Sequence, residues 1–295
     1  MHNDLATATS DAPAQPVLPA DLRLGAVHIV VTDLDRSIGF YERSIGLRLH
    51  GRDGDVARLG AGAEDLLVLH ERPDAKRAAR HAGLYHFALL YPTRQELGRA
   101  VRRLAETGTP IQGASDHGIS EAIYLPDPDG NGIELAADRG REHWGDLRDP
   151  TTIGPRPLDL QDLVAAVAGE ELPEHADRDL VVGHLHMHVG NVADALAFYR
   201  DLAGFEVMTD FGSAAFVAAG GYHHHLGLNV WKGEGVPPNP PDAVGLEHWT
   251  VIVDSGEIAA LRERFAAAGI EVADDGDGIR VVDPWGAATS FQPPA

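Results

Sequence analysis

The chain has 295 residues, 44% of them hydrophobic, so it is long enough for two domains that each bury a core. Acidic residues outnumber lysine and arginine by 45 to 24, and the formal charge of −21 disfavours binding to nucleic acid or to an anionic membrane. The chain has no cysteine, which excludes disulfides and thiolate ligands and leaves imidazole and carboxylate as the strong metal ligands. We therefore expect a small-molecule partner. Because there is neither a signal-peptide pattern nor a long apolar run, we also expect a cytoplasmic protein.

The N-terminal segment, residues 1–21, is rich in Ala, Pro, Ser and Thr without hydrophobic periodicity, which predicts a flexible tail. After it, four segments open with a glycine, two further residues and a histidine, followed by an apolar stretch typical of a β-strand. The four histidines are His28, His86, His186 and His248. Each apolar stretch leads into a predicted helix, and the pattern predicts four repeated units of one strand, one helix and about three further strands.

The repeats also match in detail. Tyr41 and Gly46 of the first unit correspond to Tyr199 and Gly204 of the third at a constant offset of 158 positions. The second and fourth units share an Asp-Pro-x-Gly turn before their last strands. We predict two units in residues 22–137, a connector over residues 138–180, and two units in residues 181–295. The connector is long enough to let the units pair out of chain order.

Four βαβββ units in series resemble the vicinal oxygen chelate superfamily, and the resemblance covers residues 24–292. It implies an α+β protein in which four βαβββ units pair into two incomplete β-barrels, the glyoxalase/bleomycin-resistance/extradiol dioxygenase fold. Lyases, isomerases, dioxygenases and binding proteins without activity share this fold, so the fold alone does not define the function.

The superfamily places its metal ligands on the first and last strands of paired units, and only the second unit provides a carboxylate there. This residue is Glu134, whereas the matching position in the fourth unit is Ser290. His86 belongs to the same unit as Glu134, and a third ligand must come from the partner unit, either His28 or His186. Two imidazoles and one carboxylate leave coordination positions open, which suits Fe(II).

Further polar residues accompany these candidates. His223, His224 and His225 are consecutive in a segment that predicts the last strand of the third unit, so at least one of them should face the barrel interior. In the second unit, His117 precedes Tyr124, which lies ten residues before the glutamate.

With these residues the resemblance narrows to the type I extradiol dioxygenases, and the nearest group is that of the bacterial two-domain catechol 2,3-dioxygenases. The resemblance implies that the iron ligands are His86, Glu134 and His186. It implies catalytic roles for His223, His224 and Tyr124, with His224 the better match for the acid–base residue. The residues expected to contact the substrate are His117 and His225.

This assignment requires the second unit to pair with the third and the first with the fourth. If the units pair in chain order instead, His28 replaces His186 as a ligand. We expect a homo-oligomeric extradiol dioxygenase that uses Fe(II) and O2 to open a catechol-like ring. Two alternatives remain open: a glyoxalase-like metal-dependent isomerase or lyase, and a ligand-binding protein of the same fold without catalysis.

Overall fold

The computed structural model describes residues 15–149 and 154–294. Residues 1–14 of the predicted tail and 150–153 of the predicted connector lie outside the described residues. The end of the tail contains no helix or strand, but Leu18 is buried and its backbone N–H donates a hydrogen bond to the Gly204 carbonyl oxygen. The segment before the first strand therefore packs against the third unit.

Each of the four units consists of one strand, one helix and three further strands. The first unit contains β1 (Arg23–Val31), α1 (Leu34–Phe40), β2 (Arg48–Asp53), β3 (Val56–Gly60) and β4 (Leu67–Glu71). The second contains β5 (Gly83–Leu90), α2 (Arg94–Glu106), β6 (Gly113–Asp116), β7 (Ser120–Pro126) and β8 (Gly132–Asp138). After the connector helix α3 (Leu160–Ala165), the third contains β9 (Val181–His188), α4 (Val192–Leu196), β10 (Glu206–Asp210), β11 (Ala214–Ala218) and β12 (Leu226–Asn229). The fourth contains β13 (Gly245–Ile252), α5 (Ser255–Ala267), β14 (Ala273–Asp275), β15 (Gly278–Val282) and β16 (Ala288–Gln292).

The sixteen strands of the described residues form two curled sheets of eight strands each. One sheet has the order β14-β15-β16-β13-β1-β4-β3-β2 and the other β10-β11-β12-β9-β5-β8-β7-β6. The first strands of two units pair antiparallel at the centre of each sheet, β1 with β13 and β5 with β9. One sheet thus joins the first and fourth units, and the other joins the second and third. The α+β fold of paired βαβββ units expected from the sequence is confirmed.

The helices begin where the sequence provides a side-chain cap. Asp33, Thr93, Asn191 and Asp254 each accept a hydrogen bond from the backbone N–H three residues later. Because the caps occupy equivalent places in the four units, strand residues of different units can be compared by their distance from them. In the part of the chain that the structure describes, no helix is both long and apolar enough to span a membrane.

Buried tyrosines tie the two sheets together. The hydroxyl of Tyr41 in the first unit donates a hydrogen bond to Asp127 of the second, with an oxygen–oxygen distance of 3.2 Å. The equivalent Tyr199 donates to Asp283 at 2.9 Å. Each aspartate also accepts hydrogen bonds from backbone N–H groups of the Asp-Pro-x-Gly turn that it opens. Units adjacent in sequence thus contact each other although they contribute to different sheets.

Candidate metal centre

Three buried side chains meet on adjacent strands in the middle of the second sheet. His86 lies on β5, Glu134 on β8 and His184 on β9. Oε2 of Glu134 is 2.9 Å from Nε2 of His86 and 3.1 Å from Nε2 of His184. The ligand atoms of the three residues all lie within 4.8 Å of one another, and no other set of His, Asp and Glu among the described residues has this arrangement.

The donor set fits a divalent metal ion. Nε2 of His86 is buried and has no aligned hydrogen-bond partner, although it lies next to the carboxylate. Burial alone would raise the pKa of Glu134, but the imidazoles of His184 and His86 outweigh it and hold that pKa well below its usual value. Burial lowers the pKa of His184, which favours the neutral imidazole that a metal requires. Ligand atoms about 2.0–2.2 Å from one ion are at most about 4.4 Å apart, and the distances from Oε2 of Glu134 to the two imidazole nitrogens are shorter than this.

His186, the ligand predicted from the sequence, lies two residues further along β9 on the same face of the strand. Its ring centroid is 5.1 Å from that of His86, but the structure brings His184 and not His186 into contact with Glu134. The ring lies over Gly227 of β12, where a Cβ atom would be only 2.8 Å away. Nε2 of His186 is buried and unpartnered. The glycine therefore makes room for this imidazole beside the three-residue cluster.

The sequence contains a signal that identifies His184, namely its distance from the helix cap. His86 lies seven residues before Thr93, and His184 lies seven residues before Asn191, whereas His186 lies only five before it. Alignment on the opening glycine placed His186 opposite His86 because each lies three residues after such a glycine, Gly183 and Gly83. Alignment on the helix cap selects His184 instead.

Tyr124 and His117 lie on one side of the cluster. Tyr124 of β7 pairs in register with Glu134 of β8, so their separation of ten residues reflects two facing positions of a hairpin. Its hydroxyl is 2.8 Å from Nε2 of His117. Burial, followed by the charge of Glu134, raises the pKa of Tyr124, which therefore keeps its hydroxyl proton as a hydrogen-bond donor.

The three consecutive histidines precede β12 in an irregular segment and are not part of the strand. The alternation expected for a strand consequently does not apply, and both His223 and His224 line the cavity beside the cluster. The ring centroid of His224 is 4.0 Å from that of His184. Nδ1 of His225 accepts a hydrogen bond from the backbone N–H of Ala219, and His225 is not among the cavity-lining residues of the described chain. The substrate contact expected for His225 has no support from its position.

The cavity has a volume of about 430 Å³, within the range of about 300–1,000 Å³ typical of small-molecule sites. His86, Glu134 and Tyr124 lie in its wall, and Phe216 contributes an apolar side. Three partly exposed aromatic residues also line the cavity. Their solvent-exposed fractions are 41% for Tyr85, 43% for Phe211 and 54% for Trp231. None of the described residues that line it is a lysine or arginine. The cavity thus combines one polar, histidine-rich wall with apolar, uncharged surroundings.

The first sheet contains a different histidine cluster, formed by His28, His70 and His248. The rings of His28 and His248 stack with centroids 3.7 Å apart, and Nδ1 of His28 is 3.0 Å from Nε2 of His70. The positions of this sheet that correspond to the cluster of His86, Glu134 and His184 are occupied by Ala26, Glu247 and Ser290. The first sheet therefore lacks the donor set of the second.

The stacked histidines predict a pH-dependent stability. Burial lowers the pKa of His28 to about 3, with a further contribution from the charge of His248. Because unfolding returns this pKa to 6.5, the unfolded chain binds more protons below pH 6.5 and the folded state loses stability as the pH falls. Between pH 6.5 and pH 5, His28 alone should reduce the free energy of unfolding by about 1.7 kcal/mol.

Urea denaturation of the parent protein and of His28→Phe at several pH values measures this contribution. The phenylalanine ring can still stack but does not titrate, so the free energy of unfolding of the variant should fall by about 1.7 kcal/mol less than that of the parent over this interval. Equal pH dependence in the two proteins would show that His28 is not the responsible group.

The described residues thus form two eight-stranded sheets of paired βαβββ units, with a cluster of two histidines and one glutamate in one of them. The model of the Glyoxalase/Bleomycin resistance protein/Dioxygenase superfamily matches residues 23–135 and 181–287, and the chain belongs to this superfamily.

Its relatives define its class further. The catechol-2,3-dioxygenase of Bacillus subtilis (strain 168) is 40% identical over 271 residues, which cover 90% of this chain and 94% of the relative. This relationship makes the chain an oxidoreductase of the dioxygenase class.

Solved structures show the same fold at low sequence identity. Glyoxalase I from Zea mays is similar with a TM-score of 0.57 and 17% identity, and the match covers 92% of each chain. The cppA protein from Streptococcus pneumoniae TIGR4 is similar with a TM-score of 0.60 and 14% identity, over 95% of this chain and 99% of that one. At such identities the likeness concerns the fold alone.

Proposed function

We propose that the chain is an extradiol dioxygenase that inserts O2 into a catechol-like ring at a non-haem Fe(II) centre. The observation that carries this proposal is the convergence of His86, His184 and Glu134 beside the cavity, with a buried His86 nitrogen that has no aligned partner. The 40% identity with a catechol-2,3-dioxygenase supports the substrate class.

His86, His184 and Glu134 would hold the iron, because two imidazoles and one carboxylate are the ligand set of non-haem Fe(II) oxygenases. Bound Fe(II) supplies Lewis acidity toward the diol and one-electron chemistry toward O2. We assign His184 as the third ligand in place of His186, since it is His184 that contacts the carboxylate and occupies the position equivalent to His86. His186 then belongs to the cavity wall.

The protons of the diol require a base when the substrate binds and an acid when the ring opens. Imidazole suits both steps near neutral pH. We assign this role to His224, which lines the cavity, lies against His184 and is in hydrogen-bond contact with His223. Tyr124 and His117, which hydrogen-bond each other at the cavity wall, are placed to donate hydrogen bonds to substrate oxygens.

The cavity favours an uncharged, apolar ring substituent. Phe211, Phe216 and Trp231 offer aromatic surface in the lining of the cavity. A carboxylate on the substrate would find no lysine or arginine among the described residues of the lining, and its desolvation would be uncompensated. We therefore propose apolar catechols as preferred substrates over carboxylated ones.

The chain's other expected partner is a second copy of itself. Among the described residues, the edge strands β2 and β14 of one sheet and β10 of the other have a neighbour on one side only, whereas the fourth edge strand, β6, is bridged on its outer side by Arg156 through Asp116. Such edges are common sites of association, and they support a homo-oligomer.

Anaerobic loading with Fe(II), followed by mixing with a panel of catechols in air-saturated buffer, tests the proposed function. We expect one O2 consumed for each catechol and the appearance of a yellow ring-opened product, with alkyl or aryl catechols turned over faster than carboxylated ones. Activity with Zn(II) or Ni(II) and no O2 consumption would instead identify an isomerase of the same fold.

A further inference from the structure

A hydrogen-bonded chain of side chains leads from the end of β8 to the cavity. Oδ1 of Asp138 is 2.9 Å from Nε2 of His223, and Nδ1 of His223 is 2.8 Å from Nδ1 of His224. The second carboxylate oxygen of Asp138 accepts a hydrogen bond from the Tyr222 hydroxyl at 2.8 Å. Asp138 therefore contacts His223 directly and reaches His224 only through it.

The chain of contacts has one consistent arrangement of protons when both imidazoles are neutral. A carboxylate accepts hydrogen bonds only, so Nε2 of His223 must carry the proton that it donates to Asp138. Nδ1 of His223 is then an acceptor, and Nδ1 of His224 must donate to it. This leaves Nε2 of His224 without a proton.

We propose that Asp138 is a positioning residue that acts through His223 to present the unprotonated Nε2 of His224 to the substrate cavity. In this tautomer His224 is ready to accept a proton from a diol. The proposal rests on the proposed function insofar as it names the substrate, but the tautomer itself is a property of the protein alone.

Neighbouring residues hold the hydrogen-bonded chain of Asp138, His223 and His224 in place. His223 is buried, and its ring packs against Trp144 with centroids 5.1 Å apart. The indole N–H of Trp144 donates a hydrogen bond to the carbonyl oxygen of Arg139, the residue after Asp138. Asp138 and Glu134 lie four residues apart on β8, on the same face of the strand. A single rigid strand thus positions a proposed metal ligand and the group that orients the proposed base.

Asp138→Ala tests the proposal, because it removes the acceptor without introducing another polar group. The first measurement is ¹⁵N NMR of the histidine-labelled, metal-free protein at alkaline pH, with the His224 signals assigned from a His224→Gln variant. In the parent, Nε2 of His224 should show the shift of an unprotonated nitrogen, and in Asp138→Ala it should move toward the average of the two tautomers. An unchanged His224 spectrum would overturn the proposal.

The second measurement is steady-state turnover of the Fe(II)-loaded enzyme. Asp138→Ala should lower kcat by about 10²–10⁴, the range that a positioned proton-transfer group contributes, with KM and iron content nearly unchanged. Added formate, which can occupy the space of the missing carboxylate, should restore part of kcat, and Asp138→Glu should restore more. A structural role would predict losses of folding or iron that formate does not reverse.

Asp65→Ala is the matched control. Asp65 contacts Nδ1 of His50 at 2.7 Å in the first sheet, so the variant removes the same kind of aspartate–histidine contact away from the cavity. It should leave both the His224 tautomer and kcat unchanged. If no catechol is turned over but the tautomer still depends on Asp138, the proposed function fails and the assignment of Asp138 stands.

Discussion

Glu134→Gln should abolish stoichiometric Fe(II) binding and, with it, ring cleavage. Glutamine retains the shape of the side chain but removes the negative charge that two neutral imidazoles cannot replace. Loss of a group outside the ligand set typically lowers metal affinity about 10–100-fold, so loss of this ligand should exceed 100-fold. Iron analysis after anaerobic loading and gel filtration measures the change, and O2 uptake with a catechol follows the activity.

Glu121→Gln is the matched control, because Glu121 is a second buried glutamate of the same sheet. Its carboxylate pairs with Arg94 at 2.7 Å and with Arg139 at 3.0 Å and does not line the cavity. The control should lose about 1–3 kcal/mol of stability but keep its iron. Full iron content in Glu134→Gln would contradict the proposed centre.

Of the variants His184→Ala and His186→Ala, only the first should weaken metal binding. Removal of His184 takes away the imidazole that contacts Glu134, so Fe(II) affinity should fall by more than about 100-fold. Removal of His186 should leave iron bound, because this ring lies over Gly227 in the cavity wall. Its loss should change the relative kcat/KM values for differently substituted catechols.

Isothermal titration of both variants with Fe(II) under anaerobic conditions separates the two assignments. Tight binding by His184→Ala together with loss of binding by His186→Ala would restore the ligand set predicted from the opening glycines. Loss in both variants would mean that both rings take part in holding the ion.

The fold could be predicted because its signals are repeated four times. Opening glycines and apolar strands recur in all four units and the Asp-Pro-x-Gly turn in two of them, and each repeat limits the interpretation of the others. We inferred that the second and third units share a barrel because Glu134 lies in the second unit and the three consecutive histidines lie in the third. In the structure, the strands of the second and third units lie together in one sheet.

The site was harder to predict where one strand offers several equivalent residues. His184, His186 and His188 occupy every second position of β9 and therefore lie on one face of the strand. Strand periodicity alone cannot show which of them is the metal ligand. The roles of His223, His224 and His225 depended on an expected strand, but this segment is irregular and turns two neighbouring rings toward the same cavity. Asp138 carried no sequence signal, because its contact with His223 spans 85 positions and appears only in the folded chain.

The exchange of units between the two sheets affects how the protein can fold. Each sheet takes one unit from either side of the connector, so neither half of the polypeptide contains a whole sheet or all three of His86, Glu134 and His184. Long-range pairing of β5 with β9 and of β1 with β13 must form before either cup closes, and this kind of topology slows folding. An isolated N-terminal or C-terminal half should therefore expose an unpaired central strand and aggregate, whereas the two halves produced together should reassemble into one molecule.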